Sequence, residues 1–181
     1  MELILAMHNI RSAYNVGAML RTADGFGVDE VIFSGYTPRI NDERALPYLR
    51  EKIDKQIKKT ALGAEEYVKN YGVEDILKEL RRLKEKGFLV LGLENNIVTE
   101  KPIFKIETSN LSELSSALNK IKKYEEKKLI LLIGEEVGGI DEELYKEIDL
   151  FLEIPMKGQK ESFNVSVATG VALFYLSGLA G

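Results

Sequence analysis

The stretch KKLILLIGEEVGGIDEELYKEIDLFLEIPMKGQKESFNVS, residues 127–166, alternates two kinds of segment. Leu129–Ile133 and Leu150–Ile154 are short, unbroken apolar runs. Such runs suit strands covered on both faces, as in a parallel sheet flanked by helices. Each breaks into a polar, glycine-bearing segment, GEEVGGIDEEL after the first and PMKGQKESFNVS after the second. A short helix is expected at Asp141–Glu147, between the two runs. Strands alternating with helices in this way predict an α/β domain with a parallel sheet.

The same reading extends outward. Leu3–Met7, Glu30–Phe33 and Phe88–Leu93 carry the strand signal. Helical periodicity predicts Ala13–Phe26 and Val73–Lys86, the latter with Val73, Ile76, Leu77, Leu80 and Leu83 on one face. It also predicts Leu111–Tyr124, with Leu111, Leu114, Leu118 and Ile121 aligned and the serine-bearing start SNLSE suited to an N-cap. Phe163–Leu179 predicts a long apolar helix. Residues 35–60 are the exception, with two prolines and dense charge, and they read as a long connection of the kind that often carries function. No internal repeat or Gly/Ser linker divides the 181 residues, so residues 1–181 are expected to form a single domain.

Composition excludes several chemistries. There is no cysteine, hence no disulfide scaffold, thiolate metal site or cysteine nucleophile. The one histidine, His8, rules out a multi-histidine metal site, and no metal is expected. MELILAMHNI makes a poor signal peptide and a better first strand, which fits a cytoplasmic protein. Ser162–Gly181 is free of charge over nearly a membrane span, but Asn164, Ser166, Thr169, Ser177 and several glycines dilute it. It reads as a buried helix at a subunit interface, with no membrane partner.

The net charge of -4 hides an uneven distribution. Residues 37–60 carry seven basic groups against four acids, and residues 135–153 carry eight acids against Lys146. A basic face can coexist with an acidic total. The plain alternative is a solvated surface.

Open parallel sheets bind ligands beyond the carboxyl ends of their strands. The segments HNIRSAYNVG, ENN, GEEVGGIDEEL and PMKGQKESFNVS should therefore converge at one edge. Familiar nucleotide and hydrolase signatures are absent. No G-x-x-x-x-G-K followed by Ser or Thr occurs, no G-x-G-x-x-G follows a strand, and no G-x-S-x-G is present.

Three ordered motifs carry a resemblance. They are NVGAMLRTADGFG at residues 15–27, LLIGEEVGGI at 131–140 and EIPMKGQKESFNVSVATG at 153–170. Together they resemble the SpoU (TrmH-like) class of SPOUT RNA methyltransferases, and KTALGAEE at Lys59–Glu66 is similar to a stretch of the same class. Phe163 stands where leucine is common, a departure that alters packing rather than chemistry. The resemblance implies a C-terminal trefoil knot, a homodimer, and methyl transfer from S-adenosylmethionine to a ribose 2′-hydroxyl. It implies RNA as partner, with tRNA favoured over rRNA. The class often adds an N-terminal RNA-binding domain, and because the first motif here starts by Asn9, none is expected. A knot runs against the general rule that chains are not threaded, and nothing in composition or periodicity reveals it.

By the same resemblance the catalytic set is Arg21, Asn15, Glu136, Ser162 and Asn164. Arg21 would orient the acceptor and stabilise a developing alkoxide, because a guanidinium with pKa above about 12 is an awkward base. Asn15 would orient Arg21 or cap a helix, Glu136 would hold the active-site loop or be merely a loop acid, and Ser162 would cap the last helix or join Asn164 in a polar cradle. Cofactor contacts would fall at Leu93, Gly134, Ile154, Met156 and Phe163, residues that otherwise read as core. Arg11, Arg39, Arg44 and Lys59 would follow RNA phosphates. His8 receives no catalytic role. Methyl transfer from a sulfonium needs no metal and no covalent enzyme intermediate, only alignment and removal of the acceptor's proton. Two rivals stand beside this reading: an RNA-binding protein that keeps the fold without transfer, and a nucleotide-binding α/β protein unrelated to RNA.

Overall fold

The computed structural model describes residues 1–106, 111–121 and 127–180. Seven strands form one parallel sheet in the order β3-β2-β1-β6-β4-β7-β5. The strands are β1 (Glu2–His8), β2 (Glu30–Ser34), β3 (Asn70–Val73), β4 (Leu89–Leu93), β5 (Ile103–Lys105), β6 (Lys128–Ile133) and β7 (Leu150–Glu153). The helices are α1 (Ala13–Gly25), α2 (Pro47–Ala61), α3 (Ala64–Tyr67), α4 (Ile76–Glu85), α5 (Leu111–Asn119) and α6 (Val165–Ser177). Glu142–Glu147 and Gly178–Ala180 form 3-10 turns.

The unbroken apolar runs are explained by burial on both faces. In β1, Leu3, Leu5 and Met7 enter one core layer, and Ile4 and Ala6 the other. In β6, Leu129, Leu131 and Ile133 face the first layer, and Ile130 and Leu132 the second. The first layer is covered by α1, α5 and α6, with Ile57 and Ala61 of α2 joining it. The second is closed by Ile76, Leu80 and Leu83 of α4 and by Leu144 of the 3-10 turn.

All five expected strands form, with ends moved by one residue at most. The two unforeseen ones, β3 and β5, are the sheet edges. Each pairs with a single neighbour, and both are short with no fully buried residue, so they carry little apolar signal. Val73 belongs to β3 rather than to the helix expected from it. Asp75 caps α4 by accepting from the Lys78 amide, and the helix starts at Ile76. The final helix begins at Val165, two residues later than expected. Its cap is Asn164, whose Oδ1 accepts from the Ser166 amide at 2.9 Å, and not Ser162. The expected Leu111–Tyr124 helix runs from Leu111 to Asn119, with Leu114 and Leu118 fully buried, while residues 109–110 of its serine-bearing start and residues 122–124 lie outside the described residues.

The largest correction concerns residues 35–60. Pro47 opens α2, where its missing N–H costs nothing and its fixed φ suits the first turn. Ile53 and Ile57, four apart, turn that helix onto the core. Only residues 35–46 remain a connection, and Asp42 is buried within it. Arg44 forks onto both Asp42 carboxylate oxygens, with Nη2 at 2.7 Å, and also donates to the Gly35 and Thr37 carbonyls. The Arg44 guanidinium holds the Asp42 carboxyl below the usual carboxylate range. Among the described residues, no helix is long and apolar enough to cross a membrane.

Helices α1 and α2 pack closely because Gly17 has no side chain. A β-carbon there would collide with Thr60 Oγ1 and the Ile57 carbonyl oxygen, and Thr60 Oγ1 donates to the Tyr14 carbonyl at 2.9 Å. Replacing Gly17 with Ala should therefore push the helices apart. The expected loss of about 1–3 kcal/mol would appear as a lower urea midpoint at unchanged m-value.

Candidate functional site

The carboxyl ends of β4, β6 and β7 and the start of α6 enclose a cleft. Its walls include Leu93, Glu94, Asn95, Ile133, Gly134, Glu135, Glu136, Gly139, Ile154, Ser162, Phe163 and Ala168. A tight turn builds one side. The Glu135 and Gly139 backbones exchange two hydrogen bonds, at 2.9 and 3.0 Å. Gly139 has φ +72 and lies against the Glu94 carboxylate, so both its backbone conformation and the space beside it require glycine. Glu94 Oε2 accepts from the Ile140 amide at 2.8 Å and holds that turn.

Opposite it, Asn95 continues the sheet with its side chain. Its Oδ1 accepts from the Ile154 amide at 3.0 Å, and its Nδ2 donates to the Ile154 carbonyl at 2.8 Å. Asn96 Nδ2 donates to the Glu161 carbonyl at 3.4 Å. The 94–96 segment thus laces the loop after β7 to the end of β4. Glu94 and Asn95 have no role in the sequence reading, which stops at the polar ENN after the strand. The signal that could have found them is that a polar triplet directly follows a fully buried strand.

Glu136 is the centre of the polar side. Its Oε2 accepts from the Arg11 amide at 2.9 Å. Its Oε1 accepts from the Ser12 amide at 3.1 Å and from Asn15 Nδ2 at 3.0 Å. Burial works against its charge, but the donated bonds from Arg11, Asn15 and Ser12 outweigh it and hold the carboxyl below the ordinary carboxylate range. Asn164 joins from α6, its Nδ2 donating to Asn15 Oδ1 at 3.4 Å. Asn15 is therefore not the cap of α1. That role is taken by Ser12, whose Oγ accepts from the Asn15 amide at 3.3 Å.

The fold thus brings together Asn15, Glu136 and Asn164, with Ser162 on the adjoining cleft wall. It also places Leu93, Gly134, Ile154 and Phe163 in that wall. Met156 is half-buried and outside it. Arg21 stands apart. It is exposed on the outer stripe of α1, about two turns beyond Asn15, and among the described residues it forms no hydrogen bond or ion pair. Arg11 pairs with Glu135, and Tyr36 and Glu135 both favour its charged form. Arg39 and Arg44 are engaged with Asp42, whereas Lys59 lies 5.9 Å over the Tyr14 ring.

His8 has a structural role. Its Nδ1 meets Ser34 Oγ at 2.8 Å and its Nε2 meets Asp141 Oδ2 at 3.0 Å. A Ser–His–Asp line of this kind resembles a hydrolase triad, but Ser34 is 1% exposed and donates to the Met7 carbonyl. It ties the ends of β1 and β2 to the turn after β6. Among the described residues no cluster of three His, Asp or Glu side chains could hold a metal ion.

A parallel sheet with its cleft at the carboxyl strand ends, walled by glycine turns and apolar side chains, defines a ligand-binding α/β domain of the doubly covered kind. The chain belongs to the SpoU rRNA Methylase family, whose model matches residues 2–174. It is 30% identical over 171 residues to a protein of Borreliella burgdorferi described as an uncharacterized tRNA/rRNA methyltransferase, covering 94% of this chain and 61% of that one. It is 28% identical to the 23S rRNA (guanosine-2′-O-)-methyltransferase RlmB of Pseudomonas aeruginosa, covering 95% of this chain and 57% of the relative. The chain therefore spans about three-fifths of the length of the curated relatives it matches. Among solved structures, an AdoMet-bound rRNA methyltransferase from Sinorhizobium meliloti superposes with a TM-score of 0.70 at 22% identity, over 97% of this chain and 55% of that one. At that identity the likeness is one of fold.

Glu136→Gln would turn an N–H group toward the amide and side-chain donors that now meet a carboxylate. A loss of about 1–3 kcal/mol is expected at neutral pH. Because the folded-state carboxyl sits below its usual range, its contribution is present above that range and fades as the solution is acidified through the folded-state value. Stability of the wild type and of Glu136→Gln should therefore converge in acid, which denaturant titrations across pH would measure.

Proposed function

We propose that this chain transfers a methyl group from S-adenosylmethionine to a ribose 2′-hydroxyl of structured RNA, with tRNA the first substrate to test. One observation carries the reading: the three ordered motifs, separate in sequence, meet as the Asn15–Glu136–Asn164 cluster at the rim of one cleft. The cleft's chemistry fits the cofactor. Leu93, Ile133, Ile154, Phe163 and Ala168 offer an apolar slot for a flat base, and Glu94 and Glu136 place negative charge beside it, as a cationic ligand requires, while Glu135 is paired with Arg11. Two similar proteins support the reading, one relative being a guanosine-2′-O-methyltransferase and one fold neighbour an AdoMet-bound rRNA methyltransferase. The relatives' names include both tRNA and rRNA.

When bound, the cofactor supplies a methyl group activated by its sulfonium. The chain must hold the acceptor oxygen in line with that methyl and disperse the charge that grows as the hydroxyl proton leaves. Glu136 and Asn15 fix the loop and helix that frame the approach. Asn164 closes the frame from α6. Arg21 suits charge stabilisation through its guanidinium fork and is a poor proton acceptor. Arg21 is exposed and absent from the walls of its own cleft, so in this reading it serves the cleft of a neighbouring copy.

A homodimer supplies that neighbour. Val167, Val171 and Phe174, spaced four and three along α6, are 51%, 36% and 67% exposed, and Phe26 packs edge-on to Phe174 at 6.1 Å. An exposed apolar stripe of this kind suits a self-associating face. The family's C-terminal knot is part of the proposal and rests on the family match alone.

With labelled S-adenosylmethionine and bulk tRNA, the wild type should label ribose 2′-oxygens. Arg21→Ala should reduce the rate by about 10²–10³-fold while cofactor affinity is retained. Cofactor binding with no label in tRNA or rRNA pools would favour the RNA-binding rival. Sedimentation at micromolar concentration should give a dimer, and Phe174→Glu should shift it to monomer. A wild-type monomer would remove the route by which Arg21 reaches a cleft.

A further inference from the structure

A second working surface lies outside the cleft, where α2 meets the outer stripe of α1. Tyr48, Lys52, Lys55 and Lys59 recur at spacings of four, three and four, so they share one face of α2. Ile57 and Ala61 on the opposite face are buried. The lysine face forms a shallow groove that Tyr14, Gln56 and one acid, Glu51, complete. Tyr14 is 42% exposed and Tyr48 73%, an unusual outlay of aromatic surface on a charged helix. Lys55 is paired with Glu51 at 2.6 Å. Among the described residues Lys52 and Lys59 have no carboxylate partner, and Lys59 rests 5.9 Å from the Tyr14 ring centre.

The placement of Tyr14 is fixed. Its carbonyl receives Thr60 Oγ1, and the close approach at Gly17 sets the spacing between the two helices. Tyr14 and Arg21 lie on the same outward stripe of α1, seven residues and about two turns apart. Arg21 therefore lies about 10 Å along α1 from the Tyr14 end of the groove.

We propose that this groove binds a single-stranded stretch of RNA, with bases stacked on Tyr14 and Tyr48 and phosphates held by Lys52 and Lys59. The inference rests on the methyltransferase reading for its substrate class and adds where the strand next to the modified ribose is held. Charge complementarity selects a polyanion, and the exposed rings select one whose flat faces are free. A duplex hides those faces, whereas unpaired bases stack on aromatic rings regardless of sequence. From Tyr48 to Lys59 the helix rises about 16 Å, room for about five stacked nucleotides at roughly 3.4 Å each. The target ribose would then lie in a loop or an unpaired end.

The test is fluorescence anisotropy with the whole chain, a labelled oligouridylate, and a blunt RNA duplex of equal length, without cofactor. The single strand should bind more tightly. Tyr14→Leu and Tyr48→Leu should each weaken it about 5- to 100-fold, with Tyr→Phe at either position close to wild type. Lys52→Gln and Lys59→Gln should each reduce the salt slope by about 0.7. Unchanged thermal unfolding of the Tyr48→Leu protein, whose site is the more exposed, separates a lost contact from a lost fold. Equal binding of duplex and single strand, wild-type affinity in both leucine variants, or displacement by polyglutamate as readily as by RNA would overturn the proposal. Because the readout needs no methyl transfer, a protein that binds in this pattern but never labels RNA would refute the enzyme and leave the groove. Label incorporation with KM and kcat unmoved by both leucine variants would do the reverse.

Discussion

The architecture of the cleft depends on one carboxylate. Glu136 sits just past β6 and accepts from two amides and one side chain that follow β1. Because β1 and β6 are neighbours in the sheet, their carboxyl ends lie side by side, and a single side chain spans the gap. Burial alone would disfavour its charge, and the converging donors reverse that balance. A negative group held in this way fixes the direction in which α1 leaves the sheet. It also fixes the position of Asn15, and through Asn15 the cap of α6.

Two faces follow from that arrangement, separated by the width of α1. On one side, the start of the helix belongs to the cleft through Ser12 and Asn15. On the other, Tyr14 and Arg21 are exposed, with Tyr14 against the basic face of α2. Gly17 sets the separation from α2 by removing the β-carbon at the crossing. The cleft, the lysine-bearing face and the exposed apolar stripe are therefore arranged around a single helix.

Much of the fold was legible in the residue pattern. The interior strands announced themselves because both faces of the sheet are covered, so every position is apolar and the run is unbroken. Edge strands β3 and β5 escaped because each has one neighbour and little burial. Helix α2 was hidden by its lysines and by a proline that marks its first turn rather than a loop. Within the site, the glycine turns and Asn15, Glu136 and Asn164 could be singled out from their motifs. Glu94 and Asn95 could not, because their work is to hydrogen-bond backbone atoms about 45 and 60 residues away. The basic residues divided in a way no charge count foretells, since Arg39 and Arg44 are engaged with Asp42 while Lys59 stays at the surface.

The sequence by itself determined the alternation of strand and helix, the glycine-bearing loops at the strand ends and the family to which the chain belongs. Those are consequences of local periodicity and of which residues tolerate tight turns. Tertiary structure alone decided which donors Glu136 would collect, and that Ser34 beside His8 would be sealed from solvent. It also decided that Arg21 would stand outside the cleft of its own chain. Each of these is a distance through space between groups far apart along the chain, set by the order of strands in the sheet.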